Sequence, residues 1–82
     1  ATIYTKIMCP YCMRAMQVLK GKGADIDEIP AAFDAEKKKE MMDRSGGRKT
    51  FPQIFIGEEH IGGCDDLLAL DREGGLDAKL AA

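Results

Sequence analysis

The chain has 82 residues, of which 45% are hydrophobic and 32% are charged, and its formal net charge is −2. This composition is typical of one soluble globular domain, residues 1–82, and not of a disordered or fibrous chain. The small negative charge excludes the broad positive field expected of a nucleic-acid-binding protein. Because no apolar run approaches the roughly 18 residues of a membrane span, we expect a cytoplasmic protein.

The first two predicted elements are a strand and a helix. Apolar and more polar residues alternate from Ile3 to Ile7, which predicts a strand. The spacing then becomes helical, with Pro10 in the first turn and a stop at Gly21 to Gly23. The residues with helical i, i+3, i+4 and i+7 spacing are Cys12, Ala15, Met16 and Leu19.

A second strand and a second helix are predicted next. The segment "ADIDEIP" predicts a short strand that ends at Pro30. The segment "FDAEKKKEMMDRSGG" predicts a helix with Asp34 as its N-cap and Gly46 and Gly47 as stop signals.

The last third of the chain predicts a hairpin and a third helix. Two apolar runs, Ile54 to Ile56 and His60 to Ile61, are separated by Gly57 and Glu58, as in a β-hairpin. A third helix is predicted where Asp65 and Asp66 place acidic side chains at its positive end. Leu76 and Leu80 are expected to dock a last helical turn. The order β-α-β-α-β-β-α predicts a parallel first βαβ unit and an antiparallel hairpin.

Cys9 and Cys12 are the strongest candidates for chemistry. Residues three apart on a helical turn have Cα atoms roughly 5 to 6 Å apart, which a disulfide tolerates. Cys9 lies where the strand meets the helix, so unpaired N–H groups and the helix dipole favour its thiolate. Lys6 adds positive charge nearby. We therefore expect Cys9 to be an exposed nucleophile and Cys12, one turn inside the helix, to be the resolving thiol.

Two other uses of the cysteines are open at this point. Three cysteines in a chain of this kind favour redox chemistry or metal binding over a structural disulfide framework. A zinc site is conceivable from four residues, although a lone second cysteine is a weaker signal than a second C-x-x-C. Those four residues are Cys9, Cys12, His60 and Cys64.

Four motifs together give the chain a family resemblance. They are "YTK" before the cysteines, "CPYC" itself, "TFPQIFI" from Thr50 to Ile56 and "HIGGCDDL" from His60 to Leu67. In this order and spacing they resemble the short bacterial dithiol glutaredoxins, and the resemblance covers essentially the whole chain. It implies a thioredoxin-like α/β fold, a four-stranded mixed sheet with helices on both faces.

The resemblance also implies an activity. Glutaredoxins are glutathione-dependent thiol-disulfide oxidoreductases that reduce protein disulfides and glutathione mixed disulfides. Glutathione would be the electron donor, with no tightly bound cofactor and no metal. The implied partners are glutathione and disulfide-containing or glutathionylated proteins, with no nucleic acid and no membrane, and we expect a monomer. Cys9 would be the nucleophile and Cys12 the resolving thiol.

The resemblance implies a glutathione-binding role for residues in three segments. Beside the cysteines, one side chain would approach the glycine carboxylate of the tripeptide. The "TFP" segment, with a cis proline, would pair with its cysteine residue, and the "GGCDD" segment would receive its γ-glutamyl end. The implied residues are Lys6 (at the glycine carboxylate), Tyr11, Thr50, Phe51, Pro52, Gly63, Cys64 and Asp65.

The chain departs from the family pattern at two places. Phe51 stands where valine is frequent in the family. An additional glycine precedes Thr50, so no role is assigned to Arg48, and Met13 also has no assigned role.

Two alternative functions are a thioredoxin-like carrier reduced by a flavoprotein reductase and an iron-sulfur or zinc carrier. The absence of Trp and the Pro-Tyr pair between the cysteines favour the glutaredoxin interpretation.

Overall fold

Residues 1–81, which this computed structural model describes, form four strands and four helices in the order β-α-β-α-β-β-α-α. The strands are β1 (Thr2–Thr5), β2 (Asp27–Pro30), β3 (Gln53–Ile56) and β4 (Glu59–Gly62). The helices are α1 (Pro10–Gly21), α2 (Ala35–Arg44), α3 (Cys64–Arg72) and α4 (Gly75–Ala81). Within residues 1–81, no helix has the length and apolar character needed to cross a membrane.

The four strands form one mixed sheet in the order β2-β1-β3-β4. Strand β1 is parallel to β2 and antiparallel to β3, which is antiparallel to β4, as the sequence predicts. The ends of β1, β2 and β4 and the start of β3 therefore lie at one edge of the sheet. The three segments that the resemblance implies for glutathione binding all adjoin the sheet at this edge.

The alternation of side chains along the strands builds a core on each face of the sheet. Ile3 and Ile54 pack on one face with residues of three helices, Ala15, Leu19, Cys64, Leu67 and Leu76. Tyr4 and Phe55 pack on the other face with Ala31 and with Met41 of α2. Because neighbouring residues in a strand point to opposite faces, helices cover both sides of the sheet, as predicted.

Helix α2 is attached to its face by polar as well as apolar contacts. The hydroxyl of the buried Tyr4 donates to Oε2 of Glu40 at 2.8 Å and accepts from Nη1 of Arg44 at 2.9 Å. The Arg44 guanidinium lies 4.3 Å from the centroid of the Phe55 ring. Burial is the main cause that raises the pKa of Tyr4. The predicted N-cap of this helix is confirmed, because Asp34 accepts from the N–H groups of Glu36 and Lys37.

Two predicted strand boundaries are wrong. Strand β1 ends at Thr5 and not at Ile7, and β2 begins at Asp27 and not at Ala24. The chain must turn out of the sheet before α1, and Met8 has a left-handed φ of 56° that no continuing strand permits. At the other end of the chain, the last helical turn predicted around Leu76 is a helix of 7 residues, α4.

Candidate active site

Cys9 is the N-cap residue of α1. Its backbone is extended, with φ −101° and ψ 107°, and Pro10 occupies the start of the helix as predicted. The Cys9 sulfur accepts a hydrogen bond from the backbone N–H of Cys12 at 3.3 Å. The positive end of the α1 dipole therefore faces this sulfur, which is the arrangement that stabilises a thiolate.

The expectation that Cys9 is exposed is wrong, because the residue is only 3% exposed. Its sulfur folds back onto the first turn of α1 to reach the N–H of Cys12. Two neighbours take the exposed positions instead, Met8 at 91% and Tyr11 at 62%.

Cys12 is also 3% exposed, and its thiol has a different environment. Burial, followed by the hydrogen bond with Cys9, raises the pKa of Cys12 to about 12, while the backbone and the charge of Lys6 oppose the change. Cys12 thus keeps its proton at neutral pH. The division into an attacking and a resolving thiol stays a prediction.

An open groove of about 370 Å³ begins at Tyr11, two residues beyond Cys9. We call it the active-site groove, and its lining residues are Tyr11, Arg48, Thr50, Phe51, Pro52, Gly63, Cys64, Asp65 and Asp66. Seven of the eight residues that the resemblance implies for glutathione binding are among them. The structure thus brings together three segments that lie far apart in the sequence.

Lys6 is the predicted residue that does not line the active-site groove. Its side chain is exposed, and its charge acts on Cys12 from the loop between β1 and α1. Lys6 therefore belongs to the surroundings of the two cysteines.

Arg48 and Asp66 also line the active-site groove, although neither was predicted to lie there. Arg48 Nη1 lies 3.4 Å from Asp66 Oδ2, and the same carboxylate oxygen accepts from the N–H of Gly63 at 2.9 Å. Asp66, and not Asp65, therefore caps the start of α3. An acid three residues after the N-cap is a recognisable capping signal, and it could have identified Asp66 in advance.

The Thr50 to Pro52 segment forms one wall of the active-site groove. The peptide bond between Phe51 and Pro52 is cis, as the resemblance implies. The side-chain amide of Gln53 donates to the carbonyl oxygen of Thr50 at 3.0 Å and to its hydroxyl at 2.9 Å. His60 Nε2 lies 2.7 Å from Gln53 Oε1. From the sequence, His60 was a candidate zinc ligand only, and Gln53 had no predicted role.

The alternative zinc site is not assembled in residues 1–81, where no three His, Cys, Asp or Glu residues form a group able to hold a metal ion. His60 stacks on Phe55, with ring centroids 4.9 Å apart, on the face of the sheet that α2 covers. Cys64 packs in the core on the opposite face, and burial is the main cause that raises its pKa. The sheet separates these two candidate ligands.

A cysteine pair at a strand-to-helix junction, beside a groove with a cis-proline wall, defines a thiol-disulfide oxidoreductase of the thioredoxin-like fold. The glutaredoxin family model matches residues 1–61. *Escherichia coli* K12 glutaredoxin 3 is 58% identical over 78 residues, which are 95% of this chain and 93% of that protein. A *Pseudomonas aeruginosa* glutaredoxin is 54% identical over 98% of this chain and 94% of its own length. The chain belongs to the glutaredoxin family.

Solved structures agree with this assignment. The solution structure of a *Brucella melitensis* glutaredoxin is 57% identical, covers 96% of this chain and 85% of its own, and has a TM-score of 0.82. The crystal structure of a buckwheat glutaredoxin-glutathione complex is 29% identical, covers 98% of this chain and 74% of its own, and has a TM-score of 0.85. The protein is a thiol-disulfide oxidoreductase, and its family is glutathione-dependent.

Proposed function

We propose that residues 1–82 act as a single glutaredoxin domain that reduces glutathione mixed disulfides and protein disulfides with glutathione as the electron donor. The observation that carries the proposal is the active-site groove, which begins in the helical turn that Cys9 caps. The buckwheat protein, which shares this fold, is described in complex with glutathione. No tightly bound cofactor is part of the proposal.

The charges around the active-site groove match those of glutathione, which has two carboxylates and one ammonium group at neutral pH. Lys6 and Arg48 supply positive charge on the side of the cysteines and of the Thr50 segment. The first turn of α3, which begins at Cys64, presents N–H groups that suit the γ-glutamyl carboxylate, whereas the N–H of Gly63 is already bonded to Asp66. Asp65 is placed to pair with the ammonium group of the same residue.

The proposed monothiol reaction has two exchange steps. The Cys9 thiolate attacks the glutathione sulfur of a mixed disulfide, and the protein thiol leaves as a thiolate and takes a proton. The Cys9 sulfur is then joined to glutathione. A second glutathione thiolate attacks this glutathione sulfur, which releases oxidised glutathione and restores the Cys9 thiolate.

The proposed dithiol reaction uses Cys12. After Cys9 has attacked a protein disulfide, Cys12 loses its proton and attacks the Cys9 sulfur, which expels the second substrate thiol. The Cys9 to Cys12 disulfide is then reduced by two molecules of glutathione. Because burial is the main cause that raises the pKa of Cys12, a leaving substrate thiolate is the acceptor that we propose for the Cys12 proton.

The proposal places the protein in the cytoplasm as a monomer that acts on other proteins and not on nucleic acid. The net charge of −2 supports this choice of substrates, and the low, odd count of three cysteines, unlike that of a secreted disulfide framework, supports this location.

The test is NADPH-dependent turnover of a glutathione mixed disulfide, coupled through glutathione reductase, with the parent protein, Cys9→Ser and Cys12→Ser. Cys12→Ser should remain active because the monothiol reaction does not need it. Cys9→Ser should lose at least about 100-fold in rate because the nucleophile is gone. Turnover by Cys9→Ser at the parent rate would show that the nucleophile is assigned wrongly.

A donor exchange tests the dependence on glutathione. Replacing glutathione and its reductase by a flavoprotein thioredoxin reductase should abolish turnover of the parent. Equal turnover with both donors would favour the thioredoxin-like alternative.

Metal analysis and an anaerobic absorption spectrum of the purified parent test the iron-sulfur or zinc alternative.

A further inference from the structure

We propose that Gln53 and His60 are positioning residues that orient the Thr50 to Phe51 peptide so that its N–H group faces glutathione in the active-site groove. The inference rests on the proposed function, because it concerns how that groove binds its substrate. Neither residue lines the active-site groove, so Gln53 acts through Thr50 and His60 acts through Gln53.

Gln53 is a buried polar residue with both ends of its amide occupied. It is the first residue of β3 and is 0% exposed. Its Nε2 donates to the carbonyl oxygen and to the hydroxyl of Thr50, three residues earlier, and so closes the loop that contains Phe51 and Pro52. A buried amide placed at the start of a strand and bonded in this way fixes the conformation of the loop.

The hydrogen bonds also define the orientation of the amide and the tautomer of His60. A carbonyl oxygen only accepts, so the Gln53 atom that faces Thr50 is the nitrogen, and Oε1 faces His60. His60 Nε2, at 2.7 Å from that oxygen, must then be the donor. The ring is held in place by Phe55, and His60 in turn fixes the Gln53 amide.

The planarity of the peptide bond passes this orientation on to Phe51. In a trans peptide the C=O and N–H groups point in opposite directions. The Thr50 carbonyl points inward to Gln53, so the N–H of Phe51 points away from the interior. It faces the active-site groove, which Thr50 and Phe51 both line. An extended substrate can accept a hydrogen bond there, as in strand addition to a sheet edge. Within the "TFP" segment, which the resemblance implies for pairing with glutathione, Phe51 is therefore the residue whose N–H is available.

The first test replaces Gln53 with methionine, which has a similar length and no amide. We expect Gln53→Met to raise the KM for the mixed disulfide of glutathione and 2-mercaptoethanol by about fivefold, the effect of one lost hydrogen bond. The kcat should change less than about twofold because Cys9 and Cys12 are untouched. A KM equal to that of the parent would overturn the inference.

A matched pair at His60 separates positioning from packing. His60→Gln keeps an N–H donor near the Nε2 position but loses the ring, whereas His60→Phe keeps the ring on Phe55 but loses the donor. Positioning predicts a KM within about twofold of the parent for His60→Gln and a KM about threefold higher for His60→Phe. The reverse order would mean that His60 only packs, and would overturn the inference even if Gln53→Met fails to fold.

An equilibrium measurement supplies an independent readout. In the parent, titration with S-methylglutathione should shift the amide proton resonance of Phe51, and the shift should be smaller in Gln53→Met and in His60→Phe. Equal shifts in all variants would contradict the inference. Parent turnover that does not depend on glutathione would instead contradict the proposed function, so the two failures are distinguishable.

Discussion

Cys9 and Cys12 are equally buried, and their difference comes from the groups that face each sulfur. The Cys9 sulfur faces the N–H of Cys12 at the positive end of α1. The Cys12 sulfur lies one turn further in, where burial raises its pKa to about 12. Equal burial therefore does not make the two thiols equivalent, because the Cys9 sulfur accepts from the first turn of α1, whereas at Cys12 burial outweighs the backbone hydrogen bond and the charge of Lys6.

The raised pKa of Cys12 predicts that the reduced protein loses stability at high pH. The folded state keeps the Cys12 proton up to a pH of about 12, whereas the unfolded chain loses it near the ordinary value of 9.0. Above pH 9.0 the folded state therefore binds more protons, and the free energy of unfolding should fall by up to about 1.4 kcal/mol per pH unit. Below that pH this contribution is constant.

Urea unfolding of the reduced protein at about pH 7.5, 9.5 and 10.5 measures this dependence. Tyr4 and other groups also titrate in this range, so the control is Cys12→Ser, and the quantity of interest is the difference between the two proteins. The same decline in both proteins would contradict the assignment to Cys12.

At the scale of elements, the start of α3 depends on one glycine. Gly62, the last residue of β4, has a φ of 117°, which side chains rarely permit. A Cβ atom there would collide with the carboxylate of Asp66, which caps α3 by accepting from Gly63. Strand β4 and helix α3 thus approach closely at Gly62 and Asp66, and Asp66 lines the active-site groove.

We therefore predict that Gly62→Ala destabilises the protein by about 2 kcal/mol, from backbone strain and loss of the cap. The matched control is Gly21→Ala at the end of α1, where φ is ordinary and no atom lies within 4 Å of the new Cβ. That change should stabilise the protein by about 0.5 kcal/mol. The urea concentration at the midpoint of unfolding, measured for both variants, tests the prediction. Similar midpoints for the two variants would contradict it.

The elements that the sequence predicts well are those whose pattern repeats locally. The helical spacing of Cys12, Ala15 and Leu19 and the hairpin signal at Gly57 are both confirmed. The turn at Met8 gave no such signal, because its left-handed φ falls on a residue that shows no preference for it. Because this turn was not recognised, the predicted β1 extends to Ile7 and not to Thr5.

The motifs predicted most residues of the candidate site. They did not predict the contact between Gln53 and His60, which are not neighbours in the sequence. Gln53 in a strand pattern predicts only an outward polar side chain, and nothing local connects it with His60, seven residues away. The pairing of β3 with β4 creates that contact. The loss of solvent around Cys9 likewise depends on a side-chain rotation that spacing does not determine.

At the scale of the whole molecule, the two faces of the sheet are unequally covered. Helices α1, α3 and α4 share one core, whereas α2 alone covers the other face and has Met41 as its buried residue. The polar contacts of Glu40 and Arg44 with Tyr4 complete its attachment. Since protection from local unfolding follows buried apolar contact, α2 should open more readily than α1.

Native-state hydrogen exchange should show this difference directly. We expect the amides of α2 to exchange faster than those of α1 in the parent, and Tyr4→Phe to accelerate α2 by at least about fivefold. The ring and its packing on Phe55 remain in this variant, while both hydrogen bonds of the hydroxyl are lost. The amides of α1 are the internal control, and uniform acceleration of both helices would contradict a local role.

The two tyrosines of the chain, placed in such different surroundings, give the protein built-in optical reporters. The sequence contains no Trp, so Tyr4 and Tyr11 dominate its ultraviolet emission. Tyr4 is enclosed between the sheet and α2, and Tyr11 is 62% exposed where the active-site groove begins. Replacing one tyrosine at a time with phenylalanine would thus yield a label-free probe of α2 docking and a separate label-free probe of substrate arrival.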